Sequence, residues 1–191
     1  MAAATLPAVV AALEGRFKVI AKTEFRGETT IEVDRELIAE LCSYAKDSLG
    51  FDFLLDISGV DNFGNEPRFE VVYELSSLAT GDHLRVKLRV SEDELEVPTV
   101  SGVWATADWH ERECYDMYGI RFRGHPDMTR ILMWEGYPFF PLRKDFPLAG
   151  RPSEMPDVAF SRTAPLEGGP FVTVPSTATT KDREPRSREI D

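Results

Sequence analysis

The densest run of groups able to do chemistry is Glu111-Arg112-Glu113-Cys114-Tyr115-Asp116. Glu111 and Glu113 are of the residue type that general acid–base catalysis recruits. A structural role competes with that reading and outweighs it. Asp108 and Glu111 are spaced as a capping-box-like pair at a helix start, Arg112 and Asp116 are four apart and can pair along one face, and acids near a helix N-terminus are favoured by its dipole. A second carboxylate set, Asp52, Asp56 and Asp61, flanks a strand and its exit turn, where a magnesium-dependent enzyme could use it. Here too the structural reading is the simpler one: Asp52 and Asp56 share a strand face that can be solvated, and Asp61, before Asn62 and Gly64, has the composition of a turn.

Metal and cofactor motifs are sparse. His110-Glu111 begins the zinc-protease pattern HExxH, but the fourth position after His110 is Cys114, and His83, His110 and His125 are widely separated. Cys42 and Cys114 form no CxxC pair, and two thiols fall short of the four that an iron–sulfur cluster usually takes. No GxGxxG fingerprint follows a strand, and neither a phosphate-binding P-loop nor a GxSxG elbow is present.

The elements that must position these groups can be read from apolar spacing. Thr5 and Pro7 suit the start of a short helix with Val9, Val10 and Leu13 on its apolar side and Gly15 at its end. Phe17–Lys22 and Glu28–Val33 read as a hairpin turned at Arg26-Gly27. Asp34 reads as the N-cap of a helix carrying Leu37, Ile38, Leu41, Cys42, Ala45 and Leu49, with Gly50 as its stop. Phe51–Ile57 is rich in strand formers. Phe69–Leu75 and Leu84–Val90 alternate cleanly, which puts Glu70, Glu74, Arg85, Lys87 and Arg89 on one outer face as a solvated, charge-paired strip rather than a docking site. Pro98–Ala107 reads as a helical turn and a bend. Asp108 opens a short helix that Gly119 ends.

After Ile120 neither period persists. Five prolines fall between Arg123 and Pro152 (Pro126, Pro138, Pro141, Pro147 and Pro152), together with the aromatics Trp134, Tyr137, Phe139, Phe140 and Phe146. Each proline removes a donor and fixes φ, yet the stretch is too apolar for a solvated linker. An extended arm lying on a surface resolves both facts, with much of that surface expected on another chain. Lys181–Asp191 is nearly all polar and is expected to lack order without a partner.

The whole chain has 191 residues, with 22 Lys and Arg against 33 Asp and Glu and a formal charge of -11. That length suits one domain with an appendage. The acidity argues against nucleic acid as a direct partner. No run approaches the ~20 apolar residues of a membrane span. The N-terminus lacks the basic region of a signal peptide. These readings give an α/β (α+β) two-layer domain with a mostly antiparallel sheet packed by helices, then a proline-rich C-terminal arm. The expected boundaries are an N-terminal helix over 1–15, the domain over 16–122 and the arm over 123–191.

Glu111-Arg112-Glu113, then Asp116-Met117-Tyr118-Gly119-Ile120, Gly124-His125-Pro126-Asp127, Arg130-Ile131-Leu132 and Pro141-Leu142-Arg143-Lys144-Asp145-Phe146-Pro147 together closely resemble the signature of the 30 kDa (C-type) subunit family of respiratory complex I, the proton-translocating NADH:quinone oxidoreductase. Weaker agreement reaches back to Val33. Thr129 departs from the Lys, Arg or Pro usual in the family and leaves one polar contact in question. The resemblance implies a peripheral-arm subunit that binds no cofactor itself, in a complex that passes electrons from NADH through FMN and iron–sulfur clusters on other subunits to quinone, coupled to proton translocation. It implies packing against the large 49 kDa-type (D-type) subunit and the cluster-bearing B-type subunit, on the cytoplasmic side of the membrane (the matrix side in a mitochondrion), with no catalytic residue of its own. Related subunits of energy-converting hydrogenases or of ferredoxin- or coenzyme F420-type dehydrogenases are the alternative, and a stand-alone carboxylate or metal enzyme is the remaining one. Trp134, Tyr137, Phe139 and Phe140 are the expected interface anchors, since aromatics dominate interface energetics, and an arm of ~30 residues can bury more than ~1,000 Å². Arg143, Lys144 and Asp145 are expected to set polar register. Glu111, Arg112, Glu113 and Asp116 are expected to brace the arm or a neighbour, and Gly119, His125, Pro126 and Arg130 complete the motif.

Overall fold

The helical stripe after Asp34 and the two alternating segments after Arg68 build the centre of the molecule. The computed structural model describes residues 6–148. In chain order these are α1 (Leu6–Arg16), β1 (Val19–Phe25), β2 (Glu28–Val33), a 3-10 turn (Arg35–Leu37), α2 (Ile38–Leu49), β3 (Phe53–Asp61), β4 (Phe69–Ser76), β5 (His83–Val90), β6 (Glu96–Pro98), α3 (Ala107–Tyr118) and β7 (Arg121–Arg123). Residues 124–148 contain turns and irregular chain with neither helix nor strand. The Thr5 cap and the arm from 149 to 191 lie outside the described residues.

Five strands form one sheet in the order β1-β2-β5-β4-β3. Every neighbouring pair is antiparallel except β2 and β5, which run parallel. That pair needs a long crossover, and α2 with the β3–β4 hairpin supplies it. Phe69, Val71, Tyr73 and Leu75 of β4 pair in register with Val90, Leu88, Val86 and Leu84 of β5, and all eight are buried. Ile38, Leu41, Cys42 and Ala45 of α2 join the same core, as do Val9, Val10 and Leu13 of α1. At roughly 1.5–3 kcal/mol for each large apolar side chain buried, this layer dominates the energetics. On the opposite face Lys87 meets Glu70 at 2.8 Å, Arg85 meets Glu74 at 2.5 Å and Arg89 meets Glu32 at 3.2 Å. Such cross-strand pairs contribute about 0.2–1 kcal/mol each, enough to favour one register and too little to hold the sheet.

Several local expectations are corrected. The first strand begins at Val19, because Phe17 is drawn into the core at the end of α1, where its N–H donates to the Leu13 carbonyl at 2.8 Å. Asp34 caps the 3-10 turn, accepting from the Glu36 N–H at 2.9 Å, and the α-helix starts after it. Pro98 closes a strand, β6, that pairs in parallel with β7.

The open edge of β3 is covered by α3. The Cys114 thiol donates to the Ile57 carbonyl at 3.3 Å. A Cβ on Gly59 would stand 2.6 Å from the Tyr118 ring, so the close approach of helix to strand needs glycine there. A strand edge left bare would invite pairing with another chain, and a helix laid along it prevents that.

Candidate docking site

Asp116 shows how the arm is held. It is completely buried on the inner side of α3. Its Oδ1 accepts from Arg130 Nη1 at 2.6 Å, and its Oδ2 accepts from the consecutive N–H groups of Ile131, Leu132 and Met133 at 3.1, 2.6 and 2.8 Å. An irregular chain with no ladder must satisfy its buried donors one at a time, and this carboxylate serves three. Arg130 lies over the rings of Tyr115, Tyr137 and Phe140 at 5.8, 5.7 and 5.1 Å. The expected pairing of Arg112 with Asp116 is therefore corrected. Arg112 instead donates to the Thr129 carbonyl at 3.1 Å and to the Thr129 hydroxyl at 2.9 Å, with Asp108 3.9 Å away. Thr129 thus supplies a polar contact of its own.

Glu111 also differs from its expected part. It does not cap α3, whose N-cap is Thr106 with no side-chain bond. Its carboxylate turns inward and accepts from the Val100 N–H at 2.7 Å and the Thr99 hydroxyl at 2.5 Å. Burial pushes its carboxyl up to about 7, against those two hydrogen bonds, which favour the ionised form. The His125 ring is fully buried beside it, with Nε2 3.9 Å from Glu111 and 3.4 Å from Asp108. Glu113 is exposed on the outer face of α3, and Pro126 is exposed on the rim of a cleft with Thr99 and Ser101.

The second anchor is the motif around Arg143. Asp61 is buried, and Arg68 clasps it through Nε and Nη2 at 2.9 and 2.8 Å, which corrects the reading of Asp61 as turn chemistry. The Arg68 bond holds the Asp61 carboxyl below the usual range although burial opposes it. The other two acids of that set, Asp52 before β3 and Asp56 within it, serve separate partners. Asp52 accepts from the Leu78 N–H at 2.9 Å, and Asp56 lies 3.1 Å from His110 Nδ1. Onto the Asp61–Arg68 pair the arm closes. The Lys144 N–H donates to Asp61 at 2.7 Å, Asp145 accepts from Arg68 at 3.0 Å and Arg143 donates to the Tyr118 carbonyl at 2.7 Å. The Lys144 side chain is exposed. Gly119 sits under this closure at φ +81°, and a Cβ there would stand 2.8 Å from both Phe140 and Arg143. Glycine is thus required at this helix end both by backbone conformation and by space.

The surface expected beneath the arm is, for residues 128–146, largely the chain's own. Tyr137 is 2% exposed and forms a small core with Met117 and Met133, against which Trp134 and Phe139 pack. Phe139 stacks edge-on to Tyr137 at 5.6 Å, and Phe140 meets Tyr115 at 6.4 Å. Among the described residues from α3 onward, Trp109, Leu132, Leu142 and Leu148 are exposed, the first three at 61%, 53% and 49%. Arg68 was not singled out from the sequence. Its only signal was a lone arginine before an alternating strand, and its partners lie 7, 24 and 77 residues away. Among the described residues no three or more His, Cys, Asp or Glu side chains gather as a metal site. Burial raises both thiols well above their ordinary value.

Residues 31–152 match the family described as respiratory-chain NADH dehydrogenase, 30 Kd subunit. The chain belongs to that family. The NADH-quinone oxidoreductase C 2 subunit of Rhizobium meliloti (strain 1021) is 58% identical over 120 residues, covering 62% of this chain and 65% of the relative, so the match spans just under two thirds of that protein's length. Among solved structures, the trypsin-resistant fragment (1–134) of Nqo5 is 34% identical with a TM-score of 0.58, over 64% of this chain and 98% of the fragment. A chain of the membrane-bound sulfane sulfur reductase, an archaeal respiratory membrane complex, is 28% identical with a TM-score of 0.64, over 73% of this chain and 84% of that one. Membership of the 30 Kd subunit family accounts for the mixed sheet packed by helices. No helix among the described residues is long and apolar enough to cross a membrane.

Proposed function

We propose that this chain is a structural subunit of a proton-translocating NADH:quinone oxidoreductase. It binds no cofactor of its own and fastens the quinone-proximal part of the peripheral arm. The observation that carries this reading is the placement of the signature residues. Asp116, Arg130, Arg143 and Asp145 are engaged in holding the chain's own arm onto α3 and the β3–β4 loop, so these four signature residues are spent on bracing. The result is a rigid platform with Trp109, Leu132 and Leu142 outward, the kind of large apolar groups that anchor a partner. The partners in this reading are the 49 kDa-type (D-type) subunit and the cluster-bearing B-type subunit. FMN and the iron–sulfur clusters reside on other subunits, and the complex attaches this chain peripherally to the cytoplasmic face of the inner membrane.

The test is affinity purification of the tagged chain from its own cell membranes. Recovery of the 49 kDa-type and B-type subunits, with NADH oxidation by quinone that is lost on deleting the chain while NADH oxidation by ferricyanide persists, is the expected result. Recovery of hydrogenase or sulfur-reductase subunits instead would overturn it.

A further inference from the structure

The fully buried Glu111 carboxyl is joined to the outside by two hydroxyls. Its Oε2 meets Thr99 Oγ1 at 2.5 Å, and Thr99 Oγ1 meets Ser101 Oγ at 2.9 Å. Thr99 and Ser101 both line an open cleft of about 500 Å³, together with Asp108 and Pro126. Each hydroxyl can donate one hydrogen and accept others, so the row can point either way. We propose that Glu111 is an exchangeable proton site at the root of the arm, filled from the cleft through Ser101 and Thr99.

The step balances with no co-reactant beyond the proton. Ser101 Oγ takes a proton from solvent and passes its own hydrogen to Thr99 Oγ1. Thr99 passes its hydrogen to Glu111 Oε2. The carboxylate becomes a carboxylic acid, and both hydroxyls finish with one hydrogen each, reoriented. The Val100 N–H still donates to Oε1 throughout.

The neighbours decide where the proton goes. His125 is the other candidate, but the Asp127 N–H donates to its Nδ1 at 3.1 Å, so its hydrogen is on Nε2, which faces the Asp108 carbonyl at 3.3 Å. Nδ1 is thus occupied as an acceptor, whereas Glu111 Oε2 already receives the hydrogen of Thr99. The titratable groups facing Glu111 are Asp108 and Cys114 of α3, His125 at the arm root, Cys42 of α2 and Tyr73 of β4. Asp108 disfavours the charged form, and no lysine or arginine among the described residues bonds to the carboxylate.

A carboxyl raised on folding makes the folded state bind the extra proton, so the stability that Glu111 contributes is fully present below the unfolded value and falls as pH rises toward about 7. The experiment is urea unfolding of the full chain from pH 5 to 8.5, with and without Glu111→Gln, which keeps one acceptor for Val100 and one donor for Thr99. The ratio of the wild-type to the variant unfolding constant should rise about tenfold per pH unit between about pH 5 and 6.5 and level off above about 7.5. A flat ratio would overturn the proposal. Should the variant not fold, infrared spectra of glutamate-labelled wild type serve instead. A carboxylic acid band present at pH 6 should vanish at pH 8.5, with a midpoint that drops in Asp108→Asn and climbs in Thr99→Val. No such band at pH 6 defeats the site, and an unchanged rate of band growth after a pH jump in Ser101→Ala defeats the hydroxyl route.

Discussion

The sheet and the arm of this molecule are held by different physics. In the sheet, β4 and β5 bury an unbroken apolar face, and any one side chain is one of many filling the same volume. The arm has prolines where a strand would have donors, and beside the small core at Tyr137 its densest polar fastenings are two: Asp116 with Arg130 and three N–H groups, and Asp61 and Arg68 with Lys144 and Asp145. Damage to the first should spread through the whole domain in proportion to volume removed. Damage to the second should stay local and release a segment.

The largest effect is expected in the sheet. Leu88→Ala, at a fully buried position, should cost about 2–5 kcal/mol, read as a fall in the urea midpoint of the whole domain. Asp116→Asn should come next. The isosteric amide removes the charge opposite Arg130 and leaves donors short of acceptors, at about 3 kcal/mol for a broken buried pair. The loss should appear as faster amide exchange at Ile131–Met133 and early tryptic cleavage at Arg130, with the sheet amides still protected. If the sheet amides exchange as fast as those of the arm, the two regions are one cooperative unit and the contrast fails.

The sheet was legible in the sequence because its determinants are periodic and local. Phe69 to Leu75 shows period two, the stripe from Ile38 to Ala45 shows the helical period, and Gly119 announces a helix end by its type. The arm was legible as an exception, since Pro138, Pro141 and Pro147 forbid both periods. What could not be read was pairing at a distance. Glu111 three residues after Asp108 fits a capping box, and only the folded chain brings Val100 N–H and the Thr99 hydroxyl closer. Asp61 beside Asn62 and Gly64 has turn composition, yet Arg68 reaches back around that turn to bury it. The parallel join of β2 to β5 and the three-residue pair β6–β7 leave no pattern long enough to count.

The smallest effect tests whether the second anchor rests on Asp61 or on Asp145. Arg68 bonds to both, but the Asp61 side chain is fully buried while Asp145 is 45% exposed. Solvent screening leaves an exposed pair worth about 0–1 kcal/mol. Asp145→Asn should therefore change the urea midpoint by less than about 1 kcal/mol equivalent, and the Lys144 amide should stay protected. Acidification tests the Asp61 anchor directly. Asp61 is held low by Arg68, so what it contributes is present above the ordinary carboxylate range and is lost only as pH falls through its lowered folded value. The Lys144 amide signal, followed by NMR from pH 7 downward, should keep its position until pH drops below the usual carboxylate range, in wild type and in Asp145→Asn alike. Loss of protection at the Lys144 amide in Asp145→Asn at pH 7 would move the anchor to Asp145 and make the arm's attachment a surface ion pair.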